Sequence, residues 1–373
     1  MQLYEKKESD CWIYIWIVAE HSPDECYKKN ILPGIIIPGP KKPGFIESFL
    51  SLGFHHLSAL QCKGLTIWDA LENKTFIFHP FLFLSYGGDP GLLCTSNLIG
   101  HSGKHDCHMY CLLHGHWKPW GSQYYPVLLL LSNYNIPGCL HDDISSYNIT
   151  TGTSHMYVRN LKFLMLLLHK WQYNKHHLQT GIIGLSILLG LQPEKILGIP
   201  KCFSFEIMHY VGASMASHFV DLWHGTMDCN DCTDSKTNWT WRVLVMERWV
   251  EYGHAVAACK QHFPGCFDVT SCNPAEKLNS FYKVHEFITW LYHLCLALLY
   301  GVLPDEHWHK FCKFIAAIHV MSQYRITTTI SASLANGLLN GKKSLSSCII
   351  SGMLIRFTLF SHALISQTTW PWR

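Results

Sequence analysis

Residues 75–91 read TFIFHPFLFLSYGGDPG, and this stretch decides the class of fold. Its first eleven residues, 75–85, are apolar, aromatic and β-branched, the composition of a strand interrupted at Pro80. Gly87, Gly88, Pro90 and Gly91 then force a turn, with Asp89 inside it. A carboxylate at a strand's exit is where two-metal nucleases hold Mg2+, because the strand fixes the oxygen and the turn leaves it open to solvent. The plainer reading is an ordinary turn aspartate before Pro-Gly.

Upstream, residues 45–62 have helical spacing, with Phe45, Phe49, Leu50, Leu57 and Leu60 toward one side. Residues 31–44 (ILPGIIIPGPKKPG) read as an extended, turn-rich connector, and residues 11–19 as a buried strand. The same N-terminal run could serve as the apolar part of a signal peptide, but the charges before it are mixed in sign. Downstream, 98–126 is dense in Gly, His, Cys and aromatics, and 133–155 is a polar loop. Helical patterns then dominate, over 156–170, 204–224, 240–259, 275–303 and 305–322. The expected organisation is an α/β portion over 1–130, a linker over 131–155, a mainly helical region over 156–325 and a divergent tail over 326–373. The longest apolar run, Phe287 to Leu303, carries His293 and reads as a core helix, so no membrane span is expected.

Composition narrows the classes further. Hydrophobic residues make up 48% of the 373-residue chain and charged residues only 15%, which marks a core-forming protein and excludes a disordered tail. The formal net charge of +3 is too small to argue for nucleic acid by itself, although 25 histidines add positive charge below neutral pH. Sixteen scattered cysteines fit buried thiols in a reducing compartment better than a disulfide framework.

Three further clusters carry chemistry. Residues 101–116, HSGKHDCHMYCLLHGH, place His101, His105, Cys107, His108, Cys111, His114 and His116 together, and thiolate with imidazole is the ligand set of tetrahedral zinc. The Cys107–Cys111 spacing suits one ion, but no second Cys pair follows at ribbon distance. Cys229 and Cys232 lie far along the chain, and buried thiols with surface histidines are the alternative. Glu206 and His209 share a helix face, as metal ligands or as a carboxylate–imidazole pair would, or as ordinary helix-end residues. Asn273-Pro274-Ala275-Glu276-Lys277 is standard helix-opening chemistry. Lys283, Lys310, Lys313 and Arg325 interleave with aromatics and face either phosphates or solvent.

Taken in order, several segments resemble the CACTA (En/Spm-like) transposases, and within them the Plavaka-type group of basidiomycete fungi. They are IPGPKKPGFIESFL (37–50), HHLSALQCKGLTIWDA (55–70), GDPGLLCTSNLIGHSGKHDCHMYC (88–111), GHWKPWGSQYYPVLL (115–129) and ILGIPKCFSFEIMH (196–209). The series continues with LWHGTMDCNDCTDSKTNWTW (222–241), NPAEKLNSFYKVHEF (273–287) and LCLALLYGVLPDEHWHKFCKFI (294–315). The resemblance implies an RNase H-like core of the DDE type, in which three carboxylates hold two Mg2+ ions for in-line attack on a phosphodiester. It further implies transposon-end DNA as partner, a nuclear location and a homo-oligomer as the assembly to test for.

The departures from the family pattern set the expectation for activity. Where the family has Asp-Gly-Pro-Gly, this chain has Gly88-Asp89-Pro90-Gly91, so the acid sits one position late. A one-residue slip at a strand end turns a side chain to the other face. Cys107-His108-Met109-Tyr110-Cys111 stands for the family's Cys-Arg-x-Tyr-Cys, and Glu206 replaces the Asp of Asp-x-Met-His. Asp10 is the nearest upstream acid, and Trp370 has no Glu after it where the family has Trp-x-x-Glu. The expected catalytic residues are therefore Asp89 and Glu206, in a core remnant impaired in strand transfer. The expected metal ligands are Cys107, Cys111 and His209, for zinc. A non-enzymatic remnant that binds zinc and DNA or protein is the alternative.

Overall fold

The structure is a computed structural model. It describes residues 11–21, 25, 31–39, 43–111, 113–117, 119, 121–125, 138, 141–144, 152–204, 208–227, 235–265, 270–278 and 282–323. The fold is mixed α/β with small sheets, and the chain divides into two compact units. The first holds residues 1–100 and 153–203, and the second holds 101–152 and 204–373.

In the first unit, strand β1 (Cys11–Ile17) pairs antiparallel with β2 (Ile31–Pro38). The connector expected over 31–44 is thus a strand over its first eight residues. Its prolines are tolerated because Pro38 ends the strand and Pro33 flanks a bulge, where ladder hydrogen bonds are interrupted. Gly34 is the bulged residue. A Cβ there would stand 3.0 Å from both Trp16 Nε1 and the Tyr14 carbonyl oxygen, so a side chain at this position would crowd the Trp16 indole where it lies across the strand.

Tyr14 and Trp16 alternate to the same face of β1 and meet Phe54 edge-on, with ring centroids 5.7 and 5.4 Å away. Phe54 belongs to helix α1 (Glu47–Lys63), whose buried positions Leu50, Phe54 and Gln61 follow helical spacing. The opposite face of β1 is open: Ile13 and Ile15 are exposed, so this strand is covered on one side only. Beyond α1, strands β3 (Leu65–Asp69) and β4 (Lys74–Phe78) form a hairpin whose turn is tied by Asp69, which accepts from the backbone N–H groups of Leu71 and Glu72.

The expected strand over 75–85 is therefore β4 alone, ending before Pro80. Ser85–Tyr86 (β5) resumes extended pairing, the Ser85 N–H donating to the Cys202 carbonyl at 2.7 Å. Among the described residues every strand pairs with a single partner. Helix α2 (Asp89–Ser96) follows directly, and helices α3 (Ser154–Met165) and α4 (Lys170–Thr180) complete the unit. Thr153 caps α3 by accepting from the Met156 N–H, and Gly181 ends α4 in the left-handed region.

The second unit is mainly helical from Met208 onward among the described residues. A π-helical stretch (Met208–Met215) runs into α5 (Ala216–His224), followed by α6 (Glu247–Ala258), the short α7 (Pro274–Lys277) and α8 (Val284–Thr289). A second π-helical turn (Trp290–Leu294), α9 (Cys295–Leu298) and α10 (Asp305–Met321) complete it. The single helix expected over 275–303 is thus broken into pieces. Phe219, Trp223, Trp290, Phe311 and Phe314 form the aromatic centre of the core, with Trp223 edge-on to Phe311 at 4.8 Å. The buried Trp290 indole is satisfied by donating to the Tyr252 hydroxyl at 2.8 Å. No helix among the described residues is long and apolar enough to cross a membrane.

The helix-opening reading of 273–277 holds in detail. Asn273 accepts from the Ala275 N–H at 3.0 Å and donates to Glu276 at 2.9 Å, with Pro274 in the first turn.

Candidate functional site

Asp89 is the residue on which the catalytic expectation turns. It begins α2 immediately after Gly88, the residue preceding the helix, and Pro90 follows within the first turn. The Gly91 and Leu92 N–H groups both donate to the Gly88 carbonyl. The GGDPG segment therefore opens a helix, because proline is pre-shaped for a first turn and an acid there complements the helix dipole. The acid that sequence placed in an open turn is at a helix start. The Asp89 side chain, like Glu206, Asp10, Cys229, Cys232, Arg325 and Trp370, lies outside the described residues.

The Cys/His-rich segment belongs to the second unit and is tightly turned, as its composition suggests. Cys107 and Cys111 are both buried, with Asp106, His108, Met109 and Tyr110 buried around them. The Tyr110 N–H donates to the Cys107 carbonyl at 2.8 Å, and Tyr110 takes a left-handed backbone with φ of 54°. That reversal between the two cysteines is uncommon for a bulky residue. The next turn is closed by a reciprocal pair, the His116 N–H donating to the Tyr125 carbonyl at 2.9 Å and the Tyr125 N–H to the His116 carbonyl at 3.0 Å.

His116 is buried, and the imidazole of His141 stacks on it with centroids 3.7 Å apart. The Tyr125 hydroxyl is 3.2 Å from His141 Nδ1. Burial lowers the pKa of His141, against a smaller opposing pull from Asp143 and Asp142, so the ring is neutral at neutral pH. His105 Nδ1 lies 3.2 Å from the Leu113 carbonyl oxygen, and the His105 and His114 rings are 6.3 Å apart. Sequence reasoning assigned His141 to a linker and missed this stack. Nothing in its polar neighbourhood has a period that would single it out.

His209 is exposed on the π-helical stretch, with the Ser214 hydroxyl donating to its carbonyl oxygen at 3.2 Å. Among the described residues, no three or more His, Cys, Asp or Glu side chains are gathered as an ion would need. Cys107 and Cys111 thus share one buried turn, while His209 stands exposed on a separate helical segment. The cations proposed for phosphate are only partly available. Lys310 pairs with Glu306 at 2.6 Å, whereas Lys283 and Lys313 are exposed. No protein-family model, curated protein or solved structure matches the chain.

Proposed function

We propose that this chain derives from a DDE-type transposase of the CACTA (En/Spm-like) kind, with an RNase H-like core remnant, and that it is impaired in DNA strand cleavage and transfer. The resemblance rests on eight blocks in family order between residues 37 and 315. What supports impairment is the sequence: Asp89 stands one position later than the acid of the family's turn, and Glu206 replaces the Asp of Asp-x-Met-His. Mg2+ held by Asp89 and Glu206 is the family chemistry, and two-metal displacement loses most of its rate when one bridging carboxylate is misplaced. Transposon-end DNA, a nuclear location and self-association belong to the same proposal.

The test is Mg2+- or Mn2+-dependent nicking of DNA carrying transposon ends. The expected result is no cleavage above background. Robust cleavage that Asp89→Ala abolishes would overturn the impaired part of the reading.

One observation favours a second, non-enzymatic reading. Cys107 and Cys111 have the C-x3-C spacing that suits two thiolates on one ion, and they share one turn, the Tyr110 N–H donating to the Cys107 carbonyl at 2.8 Å. Metal analysis of the purified protein decides this, with zinc expected in the wild type and lost in Cys107→Ser/Cys111→Ser. Unchanged zinc content in that variant, or none in the wild type, removes the reading.

A further inference from the structure

The turn between α9 and α10 leaves one aromatic side chain outside. Leu299 and Leu303 are buried, and the Val302 and Leu303 N–H groups both donate to the Leu299 carbonyl. Gly301 reverses the chain there in the left-handed region, with φ of 72°. Tyr300, just before it, is 70% exposed. Its ring meets that of Trp308 on α10, the centroids 5.0 Å apart and the planes at 65°. Trp308 is held in place from behind. It ends the buried stripe that continues through Phe311 and Ile315, and its indole N–H donates to the Leu296 carbonyl at 3.2 Å.

The two rings make a preset corner, and the charge beside it is negative. Asp305 is exposed and stands three residues before Trp308, the spacing that shares a helix face. Among the described residues no cation pairs with the Asp305 carboxylate, whereas Lys310 is taken up by Glu306. Aromatic faces carry negative potential, so two rings close to perpendicular with an unpaired carboxylate next to them attract a cation.

We infer that this corner recognises a methylated ammonium group, the trimethyl-lysine side chain of a partner protein, seated against Tyr300 and Trp308 with Asp305 beside it. An unmodified ammonium is compact and strongly hydrated, and an exposed ion pair with Asp305 contributes little. Methylation thins that hydration and spreads the charge over an apolar surface, which aromatic faces bind well. A guanidinium is planar and stacks on one face, whereas a corner of two faces suits a roughly spherical group. Phosphocholine carries the same quaternary group, but Asp305 and Glu306, both exposed on the first turn of α10, repel its phosphate. A proline-rich segment docks on aromatic side chains without any need for a carboxylate. The acid therefore selects a cation, and the crossed rings select a methylated one.

The inference goes beyond the transposase reading and stands on different residues and a different ligand. Cleavage at transposon ends, present or absent, leaves it unaffected.

The experiment uses the full chain and a short fluorescein-labelled peptide of Gly, Ala and Ser with one central trimethyl-lysine, followed by anisotropy. Wild type should bind it saturably below about 1 mM. The same peptide with unmodified lysine, and one with the neutral carbon isostere of trimethyl-lysine, should each bind at least about tenfold more weakly. Tyr300→Phe should bind as wild type, while Tyr300→Leu, which keeps apolar bulk and loses the aromatic face, should bind at least about tenfold more weakly. Asp305→Asn should weaken binding about two- to fivefold at low salt and less at high salt, as an exposed charge does. Trp171→Ala, at an exposed aromatic of α4 in the first unit, should bind as wild type. Tyr300 and Asp305 are exposed, and circular dichroism checks that each variant keeps its fold. Absence of saturable wild-type binding, equal binding of the carbon isostere, or wild-type affinity in Tyr300→Leu would overturn the inference. Unchanged affinity of Asp305→Asn at low salt would overturn the part given to the carboxylate. Tighter binding of phosphocholine or of a proline-rich peptide than of the trimethyl-lysine peptide would replace the ligand and overturn the inference.

Discussion

The imidazole of His141 lies flat on that of His116, the centroids 3.7 Å and the planes 15° apart. Two rings this close tolerate at most one charge, and burial already holds the pKa of His141 below the usual imidazole range, with Asp143 and Asp142 only partly offsetting it. Because the folded pKa lies below the unfolded one, His141 contributes stability that is complete above the ordinary value of about 6.5 and is lost as pH falls toward the folded value. An NMR titration should place His141 below free histidine. Amide protection at His116 and Tyr125, which hold the adjoining bridge, should fall over the same acid range. A His141 that titrates at or above the free value removes this account.

Gln61 makes a second specific prediction. Its side chain is buried on α1, donating through Nε2 to the Lys195 carbonyl at 2.8 Å and accepting through Oε1 from the Gln192 N–H at 3.1 Å. One amide thus satisfies a backbone donor and a backbone acceptor in the same short segment. Gln61→Leu keeps the volume but strands both partly buried backbone groups, at a cost of about 1–3 kcal/mol in all. The melting temperature should drop by several degrees, while Gln61→Glu at acid pH, where the side chain is protonated, should recover part of the loss. A neutral Gln61→Leu substitution would show that water replaces both partners.

These two sites also mark what the sequence did and did not make legible. Helices α1 and α10 and strand β1 were readable because periodic burial or a β-branched run is a local signal, and each ends within a few residues of its expected limit. Strand β2 was hidden by Pro33, Gly34 and Pro38, which read as a connector until a bulge and a strand end give each one a place. GGDPG carries turn and helix-start signals at once, and the structure takes the helix start. The Gln61 clamp and the His116–His141 stack join residues far apart in sequence, which no local pattern reports.

Gly253 is a packing constraint on α6. A Cβ at this position would lie 2.1 Å from Asn273 Oδ1 and 2.8 Å from the Ala275 Cβ, so it would strike the residue that caps α7. Helix propensity alone favours alanine over glycine by about 1 kcal/mol, so a stabilised Gly253→Ala would mean that the neighbouring cap yields easily. The expected sign is the opposite. Overpacking and disruption of the Asn273 cap should outweigh propensity and leave a net destabilisation of about 1–3 kcal/mol, read from chemical denaturation.

Glu286 ties the start of α8 to the segment before α7. Its Oε2 accepts from the Lys283 N–H at 2.8 Å and its Oε1 from the Cys272 N–H at 3.1 Å, while the Ser271 hydroxyl donates to its backbone carbonyl at 2.9 Å. Burial opposes the negative charge, but the Lys283 and Cys272 N–H groups, with the Cys272 thiol and His285, outweigh it and lower the carboxyl pKa. A depressed folded pKa contributes stability that is present above the unfolded carboxylate value of about 4.3 and disappears as pH falls through the folded value. Glu286→Gln keeps one acceptor and presents an NH2 group to an N–H donor, which should cost about 1–3 kcal/mol at neutral pH. For a chain of this size that lowers the melting temperature by about 1–2 °C per kcal/mol. The gap between wild type and variant should close as pH falls into the acid range, because protonation removes from the wild type what the substitution removes at every pH. A gap that stays constant across that range would mean that the charge of Glu286 contributes nothing, and that its place is held by packing alone.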